Sequence, residues 1–187
     1  FLRSEEFNID MNALDIYNKT PLHHAVISSF DAEIVKLLLN TNQCDINAKD
    51  NSGKTALHYA CETGKATIIE ELLLYKDIID INAQDSNGST ILHSLAQSGV
   101  FDVNVLRLLL NSDCKIPIDP NLEDKNGNTP LHLACMKENN LFVSSLIDLS
   151  PVEINVNAVN NSFQTPFFIV CMNNDSILYS TLFSSKL

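Results

Sequence analysis

The sequence lacks the marks of a membrane-inserted or exported chain. No run of about 18 apolar residues is present, so no membrane-spanning helix is expected. The first residues, Phe1-Leu2-Arg3-Ser4-Glu5-Glu6, contain no basic stretch that leads into an apolar one, so no signal peptide is predicted. Because 45% of the residues are hydrophobic, the chain can still bury a sizeable core. These observations favour a folded domain that does not insert into a membrane.

Basic residues are scarce. The chain has 12 Lys and Arg against 23 Asp and Glu, which gives a formal net charge of −11 at pH 7. Proteins that bind nucleic acid gain much of their affinity by neutralising phosphates with Lys and Arg, and the same cations attract proteins to anionic lipid surfaces. The charge balance therefore argues against both kinds of partner.

Cysteines are few and show no pairing pattern. There are five, an odd number without a Cys-x-x-Cys pair, so a disulfide framework is not indicated. Cys61, Cys135 and Cys171 occupy one position of a repeat, and this position holds Val26 and Ala96 in other copies. Such a position predicts a small buried site where Cys acts as a small hydrophobe. Free thiols favour a reducing compartment, with the cytoplasm as the first expectation and the nucleus or a host cytosol also compatible.

A phrase that recurs at a nearly constant spacing dominates the sequence. Its Thr positions lie 35, 35, 39 and 36 residues apart. A period of about 20 to 50 residues indicates stacked structural repeats. The copies are Thr20-Pro21-Leu22-His23, Thr55-Ala56-Leu57-His58, Thr90-Ile91-Leu92-His93, Thr129-Pro130-Leu131-His132 and, altered, Thr165-Pro166-Phe167-Phe168.

Each copy predicts a turn and two helices. The residues before the phrase, such as Asp50-Asn51-Ser52-Gly53-Lys54, are typical of tight turns in which Gly supplies positive φ. Thr is expected as the N-cap of a first helix, with Pro at its first position. A second helix with a broad apolar face follows, as at 34–39. The segment Asp45-Ile46-Asn47, or Asp80-Ile81-Asn82, then leads to the next turn.

This combination of turn, Thr-Pro-Leu-His helix, second helix and Asp-Ile-Asn return resembles the ankyrin repeat from about Ile9 to Leu187. The resemblance implies an all-α solenoid of stacked helix–turn–helix units joined by hairpin-like turns. It predicts a single domain over 1–187. The expected units are the tail of a preceding repeat at 1–14 and repeats at about 15–49, 50–84, 85–123, 124–159 and 160–187.

The recurring His residues could be metal ligands or partners of a nucleophilic Cys. Stacked repeats would hold them about 10 Å apart, the spacing of packed helices, whereas metal–ligand bonds are about 2 Å long. No Gly-rich phosphate loop or Glu-x-x-His pattern occurs either. We therefore predict no catalytic residue, metal or cofactor, and we expect each His to tie adjacent repeats by a hydrogen bond to turn backbone. These residues are His23, His58, His93 and His132.

Two asparagines of the return segment match a modification motif. In ankyrin proteins, Asn in a Leu-x5-Asp-Val/Ile-Asn context resembles the target of an asparaginyl hydroxylase. Asn47, with Leu39, and Asn82, with Leu74, fit this context and are predicted as possible hydroxylation sites. The alternative, which the sequence favours, is that each Asn side chain only braces its turn.

The resemblance also implies where a partner binds. In this family, partners usually contact the tips of the turns and the exposed end of the first helix, which line one concave surface. These positions vary from copy to copy while the framework repeats, as expected of a fold that presents different surfaces. The expected contact residues are Ile16, Tyr17, Lys19, Ile27, Lys49, Asn51, Ser52, Lys54, Glu62, Thr63, Ser86, Asn87, Ser89, Gln97, Ser98, Lys125, Asn126, Asn128, Met136 and Lys137.

Lysine is concentrated at these positions. Five of the 12 basic residues lie at these positions. Of the 23 acidic residues, only Glu62 lies among them and Glu123 lies nearby. This asymmetry predicts a protein partner that is acidic where it makes contact. The alternative is that Lys is simply a soluble choice for an exposed edge. The apolar anchors expected on this surface are Ile16, Tyr17, Ile27 and Met136.

The last copy departs from the pattern. Phe163 replaces the turn Gly and Phe168 replaces the His of the phrase. The final helix is expected to expose apolar side chains to whatever follows, namely Ile177, Leu178, Leu182 and Phe183. Together with the repeat-like start of the chain, this predicts a monomeric unit or a part of a longer array.

The sequence thus predicts a non-catalytic module that binds a protein through its concave face, as a scaffold or adaptor does. The alternative is a target-recruiting arm of a larger enzyme, such as a ubiquitin ligase, a transferase or a secreted pathogen effector.

Overall fold

The structure, a computed structural model, describes residues 9–28, 32–98 and 102–184. Within these ranges the chain forms ten helices and no strand. The helices come in consecutive pairs, and a turn separates each pair from the next. They are α1 (Pro21–Ser28), α2 (Glu33–Asn40), α3 (Ala56–Glu62), α4 (Ala66–Leu73), α5 (Ile91–Gln97), α6 (Val103–Leu110), α7 (Pro130–Met136), α8 (Asn140–Leu149), α9 (Pro166–Asn173) and α10 (Ser176–Ser184).

The helix pairs stack in chain order. The odd-numbered helices pack against one another from α1 to α9, and the even-numbered helices form a second layer from α2 to α10. The core lies between the layers and includes Leu22, Leu57, Leu92 and Leu131 of the recurring phrase, each at most 2% exposed. Each unit therefore packs chiefly on its neighbours, which is the arrangement of a solenoid. The predicted all-α repeat fold is confirmed.

The first residue of each turn closes it. Asp50 Oδ1 accepts the backbone N–H groups of Ser52 and Lys54 at 2.9 and 3.0 Å, and the Gly53 N–H donates to the Asp50 carbonyl at 2.8 Å. The same two side-chain bonds recur at Asp15, Asp85, Asp124 and Asn160. Because an amide oxygen makes them in the fifth repeat, the turn needs an acceptor at this position but not a negative charge.

Neighbouring turns approach closely, and at Gly53 the next turn leaves no room for a side chain. The Ser86 N–H donates to the Ser52 carbonyl at 2.8 Å, and a Cβ added at Gly53 (φ +75°) would lie 2.5 Å from the Ser86 nitrogen. Gly64 also has a positive φ of 64°, but a Cβ there would meet nothing within 4 Å. In the first repeat Asn18 stands at the position of the turn Gly. Because Asn tolerates the left-handed conformation, the sequence predicts this conformation there, and the φ of 58° confirms it.

The Thr-x-x-His phrase closes the start of the first helix and joins it to the next repeat. The Thr55 N–H donates to His58 Nδ1 at 3.2 Å, so the ring proton resides on Nε2, which donates to the Ser89 carbonyl at 3.3 Å. The same bond runs from His23 to Lys54, from His93 to Asn128 and from His132 to Gln164, at 2.9 to 3.1 Å. The predicted role of these His residues is confirmed.

Burial keeps these rings neutral. Loss of hydration disfavours the charged form and lowers the pKa of all four, and the bond to the carbonyl opposes this only in part. Protonation would also place a proton on Nδ1, which already faces the N–H of its Thr. The folded array therefore requires neutral imidazole.

Two expectations about the last repeat are wrong. Leu178 is buried and Leu182 packs against the core, because α10 packs on α8 and α9, whereas Ile177 and Phe183 are exposed as expected. Cys61 and Cys135 are fully buried, but Cys171 is exposed, because among the described residues no helix covers α9 as α9 covers α7. The sequence also predicts that the first helix of the third repeat ends at Gly99, but Gly99 lies outside the described residues, as do parts of the first and last units.

The different surroundings of Gly53 and Gly64 predict different losses of stability when each glycine is replaced by Ala. Gly64→Ala should lower the free energy of unfolding by about 1 kcal/mol, the cost of a left-handed non-Gly residue. Gly53→Ala should lower it by about 2–4 kcal/mol, because the added methyl also displaces the next turn. Urea unfolding monitored by circular dichroism measures both, and equal losses would contradict the stacking argument.

The lowered His pKa values predict that the protein becomes less stable as the pH is lowered. Between the lowered folded-state pKa and the unfolded value near 6.5, the unfolded chain binds more protons, so the free energy of unfolding decreases as pH drops through this window. We expect a continuous decline from about pH 7 to pH 5, above the range in which Asp titrates. His93→Gln, which retains a capping side chain, should make the decline shallower. A midpoint of urea unfolding that stays constant over this range would contradict the prediction.

Candidate partner-binding groove

The tips of the turns form a continuous row. Backbone N–H groups of one turn donate to carbonyls of the preceding turn at 2.8 to 2.9 Å. These bonds join Asn51 to Tyr17, Ser86 to Ser52, Lys125 to Asn87 and Asn161 to Asn126. The variable side chains beside them are therefore presented on a rigid edge. We call the surface formed by these tips and the adjoining ends of the odd-numbered helices the turn-tip face.

Most of the predicted contact residues are accessible. Lys19, Ile27, Ser52, Lys54, Glu62, Ser89 and Ser98 are half-buried, and the others, with one exception, are exposed. The exception is Asn128, which is 6% exposed: its amide donates to Asp124 Oδ2, and its side-chain oxygen accepts a hydrogen bond from the Asn160 amide of the next repeat. Its carbonyl accepts the bond from His93. Asn128 is thus part of the framework, and its burial argues against the contact predicted for it.

A polar cavity of about 360 Å³ lies where the second and third repeats meet. We call it the repeat 2–3 cavity. Six of its eight lining residues are predicted contacts, so the cavity belongs to the turn-tip face. The lining residues are Lys54, Glu62, Asp85, Asn87, Ser89, Ser94, Gln97 and Ser98. Two of these, Asp85 and Ser94, are not among the residues predicted from the sequence, although their separation of nine residues recurs in every repeat.

Lys54 is held inside this cavity by an acidic neighbour. Its Nζ donates to Glu62 Oε1 at 2.5 Å. Burial disfavours the ammonium charge, but the hydrogen bond and the charge of Glu62 outweigh burial and raise the pKa of Lys54, with a further contribution from Asp85. Lys54 is therefore charged but internally paired, which reduces the basic character predicted for this part of the surface.

Tyr59 forms a second polar cluster beside the cavity, which was not predicted from the sequence. Its hydroxyl donates to Asp50 Oδ2 at 2.5 Å. The ammonium groups of Lys19 and Lys54 lie 4.6 and 5.6 Å from the centroid of its ring, within cation–π range. Burial tends to raise the pKa of Asp50, but the bond from Tyr59 and the bonds of the turn lower it overall. These contacts fix the orientation of Lys19 on the turn-tip face.

The asparagines of the return segments connect adjacent repeats. The Asn47 amide donates to the Ile78 carbonyl at 2.7 Å, and its Oδ1 accepts the Asp80 N–H at 2.8 Å. The same two bonds recur at Asn12, Asn82 and Asn121. Asn121 was not predicted, although Asp119-Pro120-Asn121 keeps the Asp-x-Asn spacing of the other copies. The bracing role expected of these side chains is confirmed.

Hydroxylation of Asn47 and Asn82 stays a prediction. The two matches differ in structure, because Leu39 of the first motif is buried and Leu74 of the second is exposed. Intact-mass measurement after incubation with an asparaginyl hydroxylase tests the prediction, with Asn47→Ala and Asn82→Ala as site controls. We expect the mass to increase by one oxygen atom per modified site, and an unchanged mass would end the idea.

The two buried cysteines are poor candidates for a nucleophile, and the described residues contain no cluster of metal ligands. Burial raises the pKa of Cys135 to about 12 and raises that of Cys61 still further, so neither thiol ionises near neutral pH. Residues 9–28, 32–98 and 102–184 contain no group of three or more His, Cys, Asp or Glu that could hold a metal ion. No helix in these ranges is long and apolar enough to cross a membrane.

Comparison with known families gives one result. A family model described as ankyrin repeats (3 copies) matches residues 1–85, 28–118, 72–160 and 116–184. These overlapping matches span nearly the whole sequence. No curated protein matches the chain.

Proposed function

Because this chain belongs to the ankyrin-repeat family, we propose that it binds a protein partner through its turn-tip face and performs no catalysis itself. Ankyrin repeats are generally protein–protein interaction modules and are typically not catalytic. The observation that carries the proposal is the repeat 2–3 cavity, which lies on the row of turn tips and is lined mostly by residues that vary between repeats. A target-recruiting arm of a larger enzyme would use the same face.

The apolar anchors of the proposed interface lie at two places on this face. Ile16 and Tyr17 at the first turn are 84% and 60% exposed, and Met136 at the end of α7 is 39% exposed. Ile27 is half-buried and has a smaller accessible surface. Large apolar side chains dominate the binding energy of interfaces more than charges at the rim do. Ile16 and Tyr17 therefore form the main apolar contact of the proposal.

We propose that the acidic surface of the partner contacts the fourth repeat. Lys125 and Lys137 are both exposed, and neither forms an ion pair within the described residues. Lys54, in contrast, is already paired with Glu62, and Lys49 Nζ donates to the Gln84 carbonyl. Unpaired surface cations increase the rate of association with an acidic partner. We therefore expect the electrostatic part of recognition to depend on the fourth repeat.

Charge reversal tests this arrangement. Lys125→Glu with Lys137→Glu should weaken binding of the partner by about tenfold or more at low salt, because attraction becomes repulsion. Lys76→Glu with Lys115→Glu makes the same change in net charge near the exposed end of α4 and is the matched control. Proteins captured by the wild-type chain and lost by the first variant alone are then measured as purified partners at two salt concentrations. Equal retention by all three forms would contradict the electrostatic proposal.

A further inference from the structure

One position of the repeat determines whether the Asp that begins the turn has a hydrogen-bond partner for its second carboxylate oxygen. This position lies nine residues after the acid and carries His24 in the first repeat and Tyr59 in the second. His24 Nε2 lies 2.8 Å from Asp15 Oδ2, and the Tyr59 hydroxyl donates to Asp50 Oδ2 at 2.5 Å. In both repeats a large side chain therefore occupies the face and satisfies the second carboxylate oxygen.

The third repeat has Ser94 at this position, and its side chain is too short to do the same. Asp85 Oδ1 accepts the N–H groups of Asn87 and Ser89 at 2.8 and 2.9 Å, but no hydrogen bond reaches Asp85 Oδ2 from the described residues. The Ser94 hydroxyl lies instead 3.5 Å from Glu62 Oε1. Because Asp85 and Ser94 both line the repeat 2–3 cavity, the small side chain opens the cavity and leaves a carboxylate oxygen unpaired there.

In the fourth and fifth repeats, other contacts satisfy the second polar atom of the residue that begins the turn. In the fourth, the position holds the buried Leu133, and the Asn128 amide donates to Asp124 Oδ2 at 3.3 Å. In the fifth, the turn residue is Asn160, which carries no charge and whose amide donates to Asn128 Oδ1 at 2.9 Å. Among the turns of the described structure, the unpaired carboxylate oxygen is thus confined to the repeat with the cavity.

The charges and donors of the cavity specify what it accepts. Glu62 and Asp85 carry two negative charges against the single positive charge of Lys54, so the formal charge of the lining is −1. The remaining lining side chains are amides and hydroxyls, whose oxygens accept hydrogen bonds. The volume of about 360 Å³ lies within the range of roughly 300–1,000 Å³ typical of ligand pockets. A planar cation with several N–H donors matches this lining best.

We propose that the repeat 2–3 cavity receives an arginine side chain of the partner protein, whose guanidinium donates to Asp85 Oδ2. The proposal rests on the proposed function and specifies the chemistry of the partner. A basic side chain is bound between the second and third repeats, and acidic side chains are bound at the fourth. This pattern orients the partner along the array, because the reversed orientation would bring like charges together.

The first experiment uses a small probe with a matched neutral analogue. The full chain, labelled with ¹⁵N, is titrated with N-acetyl-arginine methylamide and, separately, with the citrulline counterpart, which has the same shape without the charge. We expect the arginine compound to shift the backbone resonances of Asn87, Ser89 and Gln97 in a saturable manner, and the citrulline compound to shift them much less. No shift at these residues, or equal shifts with both compounds, would overturn the proposal.

Variants of the cavity provide the second experiment. Asp85→Asn should weaken binding of the arginine probe by about tenfold or more, because it removes the charge that strengthens the hydrogen bond. The turn should persist, since Asn160 makes the same two turn bonds in the fifth repeat. Ser94→Tyr should abolish binding by filling the cavity, as Tyr59 does one repeat earlier. Asp124→Asn makes the same chemical change outside the cavity and should leave binding unaffected. Wild-type affinity in Asp85→Asn would overturn the proposal.

These experiments also distinguish a failure of the proposed arginine site from a failure of the proposed function. Arginine binding by a chain whose turn-tip face contacts no protein would support the cavity and refute the proposed function. A purified partner that binds the turn-tip face equally well in wild type, Asp85→Asn and Ser94→Tyr would support the proposed function and refute the arginine site.

Discussion

The bond from a buried neutral imidazole to the carbonyl of the next repeat is the interaction on which the rest of the structure depends. It uses both ring nitrogens, because Nδ1 accepts the Thr N–H that begins the first helix and Nε2 donates across the repeat boundary. A single side chain such as His93 therefore sets the start of a helix and the position of the following turn. Burial of this ring lowers its pKa and couples the stability of the array to protonation.

The stacking that this bond imposes explains why the framework is so uniform. Adjacent turns lie close enough for backbone hydrogen bonds, which requires Gly53 and leaves no room for a methyl group. The return segments are joined in the same way by side chains such as Asn47. A change at any of these positions disturbs two repeats at once. Side chains on the turn-tip face that make none of these bonds can vary and still leave the fold intact.

In the proposed function, recognition on this face depends on local departures within a constant frame. Ser94 is the clearest example, because replacing a large side chain by a small one both creates a cavity and uncovers Asp85. Lys54 is another, since its pairing with Glu62 turns a predicted basic patch into a mixed one. The face is therefore a sequence of distinct polar subsites, with unpaired lysines at the fourth repeat. Such a pattern favours a partner with charges of both signs in a defined order.

The sequence by itself determined what recurs: the stacked fold, the hydrogen bond from each His to the neighbouring turn and the left-handed Asn18. Each of these depends on contacts between equivalent positions, so the period of the repeat is enough to predict them. The tertiary structure alone decided the burial of Asn128 and Leu178, the pairing of Lys54 and the cavity beside Ser94. These depend on distances between non-equivalent side chains of neighbouring repeats, and such distances follow from how the helices stack rather than from their spacing in the sequence.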